Sequence, residues 1–138
     1  SRELNQELTK EMLANANINT EMIVYGNLPL MASSYCFLGE TNKCYPDCGT
    51  NCKKNNKYYL KDRLGFNFRV VPNSIETVTL ICNSKTLSVS TKDLPVNFVR
   101  LDILDESINE INEAVDKAYN REKLEGLQYT NGNLYREV

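Results

Sequence analysis

The chain has 138 residues, 41% of them hydrophobic and 25% charged, and its net charge is −2. These are the proportions of a globular domain, and a mildly acidic chain of this kind does not read as a general binder of nucleic acid. It contains no histidine, which excludes Ser-His-Asp and Cys-His catalysis, histidine zinc ligation and imidazole acid–base chemistry within these residues.

No run of about 18 apolar residues is present to span a bilayer, and no basic-then-apolar leader precedes the first element. A cytoplasmic location is expected. The length falls short of a complete barrel of about 250 residues. The chain starts at Ser1 and is helical in pattern almost at once, so it reads as a fragment whose true N-terminus is missing, one domain or part of one.

In residues 3–16, "ELNQELTKEMLANA", Leu4, Leu8 and Met12 recur every fourth position, with Leu13 and Ala16 beside them. This spacing predicts a helix with one apolar stripe. "EMIVYG" at 21–26 predicts a short buried strand closed by Gly26. From Asn27 to Asn56 the periodicity is lost, and a loop is expected. Loops of that length are uncommon in compact domains unless functional or cross-linked.

Order returns with "KYYLKDR" and "GFNFRVV". Phe66, Phe68 and Val70 alternate with Asn67 and Arg69 after a turn at Leu64-Gly65, which predicts a half-buried strand. "TVTLIC" (77–82) and "TLSVS" (86–90) are further strands with a turn at "NSK" between them. "NFVRLDIL" (97–104) puts Val99, Leu101 and Ile103 on one strand face, with Arg100 and Asp102 on the other.

Ser107 and Glu110 form an S-x-x-E capping box. Ile108, Ile111, Val115, Ala118 and Tyr119 then predict a core-facing helical stripe to about residue 121, with Gly126 as the stop. "YTNGNLYREV" carries an Asn-Gly turn signal and predicts a small hairpin. The expected fold class is mixed α/β, with helices at both ends and a strand-rich middle.

Four of the five cysteines fall within 17 residues: Cys36, Cys44, Cys48 and Cys52, spaced C-x7-C-x3-C-x3-C. Four thiolates can close a tetrahedron around Zn²⁺ or hold one [4Fe–4S] cluster, and either would cross-link a loop with little apolar material of its own. Pro46 and Gly49 suit tight turns between the ligands. Lys43, Lys53 and Lys54 flank them and favour thiolate over thiol. Two disulfides, or unpaired surface thiols, are the alternatives. We expect a cysteine-rich metal-binding loop over 35–57. Cys82, in "TLICNS", is expected to be a buried small hydrophobe.

The ordered set "EMIVYGNLPLMASSYCFLG", the cysteines, "KYYLKDRLGFNFRV", "NSKTLSV" and "RLDILDE" resembles the U-thirty-two peptidase family, the collagenase-like proteases, and within it a clostridial-type branch. The likeness runs over nearly the whole chain. It implies a TIM-like barrel of which this stretch is the C-terminal portion, its last strand-helix units plus the cysteine loop. The partner it implies is the rest of that barrel, a missing N-terminal region.

Several members of the family hold a four-cysteine iron–sulfur cluster and support hydroxylation of RNA bases or of a small aromatic acceptor. By resemblance Cys36 matches the cysteine after the strand end, and the 44–52 group matches the middle ligands. Two positions depart from the pattern. Leu28-Pro29 stands where many members have Leu-Cys, and the late family cysteine falls at Thr77, with Cys82 five residues further on. Either the extra loop cysteine replaces the lost ligand, or the cluster is lost and a structural zinc, or nothing, remains. The resemblance implies a peptidase as parent, with this segment its metal-binding, non-catalytic part. The alternative is an iron–sulfur hydroxylase. The substrate that the resemblance implies is a protein or an RNA, not further identified, and no membrane partner is expected.

Two further groups stand out. The stretch 53–69 holds six basic residues and one acid with aromatics interleaved, the composition of an RNA-facing surface and also of a solvated strand face, which is the expectation in an acidic chain. Arg100, Asp102, Asp105 and Glu106 lie at a strand end and helix start. That is the active face of a barrel, and also where a helix dipole favours acids without any function. Tyr58 and Tyr59 are expected as core and rim. No catalytic pair is evident.

Overall fold

The computed structural model describes residues 4–39, 44, 52, 57–73 and 78–134. Its elements in chain order are α1 (Gln6–Ala14), β1 (Glu21–Gly26), β2 (Pro29–Ser33), β3 (Tyr58–Lys61), β4 (Asn67–Asn73), β5 (Val78–Cys82), β6 (Thr86–Ser88), β7 (Phe98–Asp102), α2 (Ile108–Tyr119) and β8 (Tyr129–Thr130). The fold is mixed α/β, with two four-stranded sheets among the described residues, neither closed into a barrel. The chain divides into two compact units, residues 28–84 and the flanking 1–27 with 85–138.

In the flanking unit the strand order is β7-β1-β6-β8. β1 runs parallel to β7, from Glu21 opposite Phe98 to Gly26 opposite Asp102, with an irregularity between Ile23 and Tyr25. β6 joins the other side of β1 antiparallel through Tyr25–Ser88 and Gly26–Leu87. Tyr25, Ala114 and Leu124 form a buried cluster, with Leu101 and Tyr129 packed against it.

Asn5 caps α1, its side-chain oxygen accepting from Leu8 N–H at 3.0 Å. The buried face of the helix differs from the one the spacing suggests: Thr9 and Leu13 are its buried residues, while Leu8 and Met12 are exposed. An amide donor at Gln6 bonded to the Leu134 carbonyl at 2.7 Å ties its first turn to the end of the described chain.

α2 begins as expected. Ser107 N–H donates to Glu110 Oε2 at 2.7 Å, and Glu110 N–H donates back to Ser107 Oγ at 3.4 Å. Its burial departs from expectation. Ala114 is the buried residue of the helix, whereas Ile108, Val115 and Tyr119 are 76%, 48% and 88% exposed. The capping Asn120 ends it, followed by Arg121 at φ 59. The left-handed residue that terminates the helix is therefore an arginine, five positions before Gly126.

The unit 28–84 has the order β2-β5-β4-β3, antiparallel throughout. β2 lies where a loop was expected. Its opening proline and its largely exposed Leu30, Met31 and Ala32 give no alternating signal, and pairing to β5 makes it a strand. The β3–β4 turn forms where the glycine predicted it. Asp62 Oδ1 accepts from Leu64 N–H at 2.8 Å and Phe66 N–H at 2.9 Å, and Gly65 takes φ 89. Val70, Thr79 and Cys82 are buried in the central strands.

The bend at "NSK" lies between β5 and β6 as expected, and it carries the chain from one sheet to the other. β8 pairs parallel to β6 through Thr86–Tyr129 and Leu87–Thr130, and residues 135–138, the rest of the expected C-terminal hairpin, lie outside those described.

Candidate functional site

The first candidate is the cysteine turn after β2. Ser33 Oγ accepts from Tyr35 N–H at 3.1 Å, and the Tyr35 and Phe37 rings meet edge to face at 5.5 Å. This fixes the approach to Cys36. Residues 36–39 close a turn in which Gly39 N–H donates to the Cys36 carbonyl at 3.0 Å. The Gly39 carbonyl in turn accepts from Cys44 N–H at 2.8 Å. Leu38 is buried and anchors the turn.

Cys36 is exposed, Cys44 and Cys52 are half-buried, and Cys82 is buried in β5 as expected. Cys48 lies outside the described residues. Among those described, no three His, Cys, Asp or Glu side chains are gathered as a metal ion needs. The donor chemistry nonetheless suits a soft cation. Residues 28–84 carry seven Lys/Arg and four Asp/Glu, against nine and fourteen in the remainder. Positive charge is thus concentrated in the unit that holds all five cysteines.

The second candidate runs along the parallel pair from Glu21 at its amino end to the loop after Asp102 at its carboxyl end. Arg100 reaches Glu21 through Nη1 and Asp102 through Nε, each at 3.1 Å, with all three side chains about half exposed. Exposed pairs of this kind contribute up to about 1 kcal/mol. Glu106 turns back on its own loop, Oε2 accepting from Leu104 N–H at 2.7 Å and Asp105 N–H at 3.0 Å. Its other oxygen is shielded from solvent without a hydrogen bond of standard geometry among the described residues.

Beneath it lies Tyr25, whose hydroxyl is pushed well above the usual phenol range. Burial is the main cause, followed by the charge of Glu106, by Tyr129, by Glu110, and by a side-chain hydrogen bond to Glu106. The raised value keeps the phenol protonated through the neutral range. Sequence reasoning singled out Arg100, Asp102, Asp105 and Glu106 but missed Tyr25, which reads only as a strand residue.

The third is a charged cleft of about 420 Å³ lined by Ser90, Lys92, Glu113, Lys117, Glu122 and residues 123–125. Glu122 receives both Lys92 and Lys117 at 2.8 Å. Hydrogen bonds from Lys117 and then Lys92 hold its carboxyl down at about 2. Ser90 Oγ–H donates to the Arg121 carbonyl at 2.7 Å, and Thr91 N–H does so at 3.2 Å. These contacts pin the end of α2 to the segment after β6. Nothing in the sequence signals the partnership of Lys92 and Glu122, thirty residues apart.

Within the basic-aromatic stretch, Arg69 turns onto its own hairpin. The Arg69 guanidinium lies 5.4 Å over the Tyr59 ring and donates to the Tyr58 and Val70 carbonyls at 3.1 and 3.2 Å. Arg69 is thereby spent on its own hairpin. Tyr59 is the exposed rim residue that was expected, and Tyr58 is half-buried.

Comparisons with protein-family models, curated proteins and solved structures find no match for this chain.

Proposed function

We propose that the chain is the C-terminal, metal-binding part of a collagenase-like peptidase of the U-thirty-two family, and that its own residues bind and brace rather than cut. The observation that carries the reading is the Cys36–Gly39–Cys44 turn, two hydrogen bonds that bring the first two candidate ligands into one short frame. Cys36, Cys44, Cys48 and Cys52 would hold the metal. Zinc there would cross-link the loop, and a [4Fe–4S] cluster would add electron transfer. The absence of histidine supports a non-catalytic role.

The parallel β1–β7 pair followed directly by α2 is compatible with the last strand-helix units of a TIM-like barrel. Parallel strands are ordinarily covered on both sides. Yet Phe98 and Val99 on β7, and Ile108, Val115 and Tyr119 on α2, are exposed. A preceding region of the same barrel is the partner that would cover them, and a cytoplasmic setting would keep the thiols reduced.

Metal analysis of the anaerobically purified chain tests the reading. About one zinc per chain, or a brown protein with iron and sulfide, is expected, and Cys36→Ser and Cys44→Ser should each lower the metal content. Metal-free protein, or content unchanged in both variants, would overturn it. An iron–sulfur cluster would shift the parent from peptidase to the family's hydroxylases.

A further inference from the structure

The apolar residues left open in the flanking unit lie on one side of it. We infer that the outer edge of β7 and the outward flank of α2 form a single docking surface. Its occupant is a strand-helix unit of the same polypeptide, preceding these residues, whose strand adds parallel to β7. This rests on the reading above that such a region exists, and it specifies where and how that region docks.

β7 stands at the end of its sheet's strand order. Peptide groups alternate in direction along a strand. Phe98 N–H donates to the Thr20 carbonyl at 3.0 Å, so the groups of Phe98, Arg100 and Asp102 address β1. Those of Val99 and Leu101 point the other way, where no strand pairs with β7 among the described residues. An open edge of this kind recruits another strand. Leu101 packs against the cluster of Tyr25, Ala114 and Leu124. Val99, two positions away, shares that face and is 36% exposed.

The helix shows which way its open flank looks. At about 100° per residue, Val115 lies to one side of the buried Ala114, with Ile108 and Tyr119 in the same row. Glu113 and Lys117 lie to the other side, and they line the charged cleft with Ser90 and Lys92, just beyond β6. β6 and β7 are on opposite sides of β1. The row of Ile108, Val115 and Tyr119 therefore overhangs the β7 side. Edge and flank coincide.

A strand added parallel extends the β1–β7 pairing already present, and parallel strands bring helices that cover them. The open row of α2 is where that helix packs. A second copy of this chain fits less well, because it would set one acid-rich unit against another. The flanking unit holds fourteen Asp/Glu against nine Lys/Arg, and α2 itself has three acids and one lysine.

Hydrogen exchange, read amide by amide in the 138-residue chain and in its full-length parent, is the test. In the chain alone, Val99 and Leu101 should exchange fast while Arg100, between them, is protected. In the parent, Val99 and Leu101 should slow by about tenfold or more. Val99→Pro removes only an outward donor, and Tyr119→Lys only an exposed ring. Both should leave the melting temperature of the chain nearly unchanged and lower that of the parent by about 2 °C or more. Where a parent variant fails to fold, the wild-type exchange pattern decides.

Fast exchange at Val99 and Leu101 in the parent would overturn the docking surface and leave the metal-binding reading standing. Equal effects of the variants in both proteins would do the same. Protection in the chain alone, with a dimer by light scattering, would make the occupant a second copy and overturn the proposal. A parent protected at both amides yet free of metal would support the docking and overturn the metal site. A natural protein with nothing before these residues would overturn both.

Discussion

Gly26 ends β1 against Asp102, the last residue of β7, so closely that a Cβ on the glycine would lie 2.5 Å from the Asp102 carbonyl oxygen and 2.8 Å from its Cβ. At φ 135 the position also suits no other residue type well. The parallel pairing of these strands and the placement of Asp102 and Glu106 at and beyond their carboxyl end depend on this approach. Gly26→Ala should therefore destabilise the chain by about 2 kcal/mol or more, read as a lower urea midpoint. An unchanged midpoint would contradict the close approach.

Tyr25, one residue earlier, gives an alkaline signature. Its folded pKa is raised above the ordinary value of 10.0. The stability linked to it is then present below pH 10 and is lost as pH rises through the folded value. Of the eight tyrosines, one should resist ionisation until the chain unfolds. Ultraviolet titration of tyrosinate should show this resistant phenol in the wild type and not in Tyr25→Phe. Complete titration of the folded wild type would remove the basis for placing Tyr25 under Glu106.

Glu122 should act at the other end of the scale. Its folded pKa is lowered from 4.5 to about 2 by Lys117 and Lys92. The stability it contributes is present above about pH 4.5 and lost as pH falls toward 2. Between those limits the wild type should lose more stability than Glu122→Gln. Because the three side chains are substantially exposed, the difference should shrink at high salt. Urea midpoints across the acid range at two salt concentrations provide the check; parallel curves would be inconsistent with the double lysine contact.

Ser107→Ala removes one half of the capping box and should lower stability by about 1 kcal/mol. Far-ultraviolet circular dichroism in urea measures it. Ser107→Asp, which keeps an acceptor at the cap, should restore most of the loss. Failure of Asp to restore it would show that Ser107 matters for some other contact.

What could be read without coordinates was what short-range physics decides. The capping box at Ser107 and Glu110, the limits of β1 at Glu21 and Gly26, and the Asp62–Gly65 turn each rest on residues within a few positions of one another. Their hydrogen bonds and φ preferences act before any tertiary contact forms. The cysteine spacing was equally plain, and within it Cys36 and Cys44 are joined through Gly39, a link no spacing rule reveals.

Partner choice was not legible. The apolar residues of α2 announced a stripe, but the sheet beneath takes up Ala114 and leaves Ile108 and Tyr119 outside. "NSK" has turn chemistry in either arrangement, and only long-range pairing sends β5 to one sheet and β6 to the other. Lys92 meets Glu122, Tyr25 meets Glu106, and β8 runs parallel to β6 for the same reason. Sequence composition and local hydrogen bonding define the elements of this chain. Which faces and edges come together is set by burial and strand pairing between residues far apart, and that decision is made only when the whole chain packs.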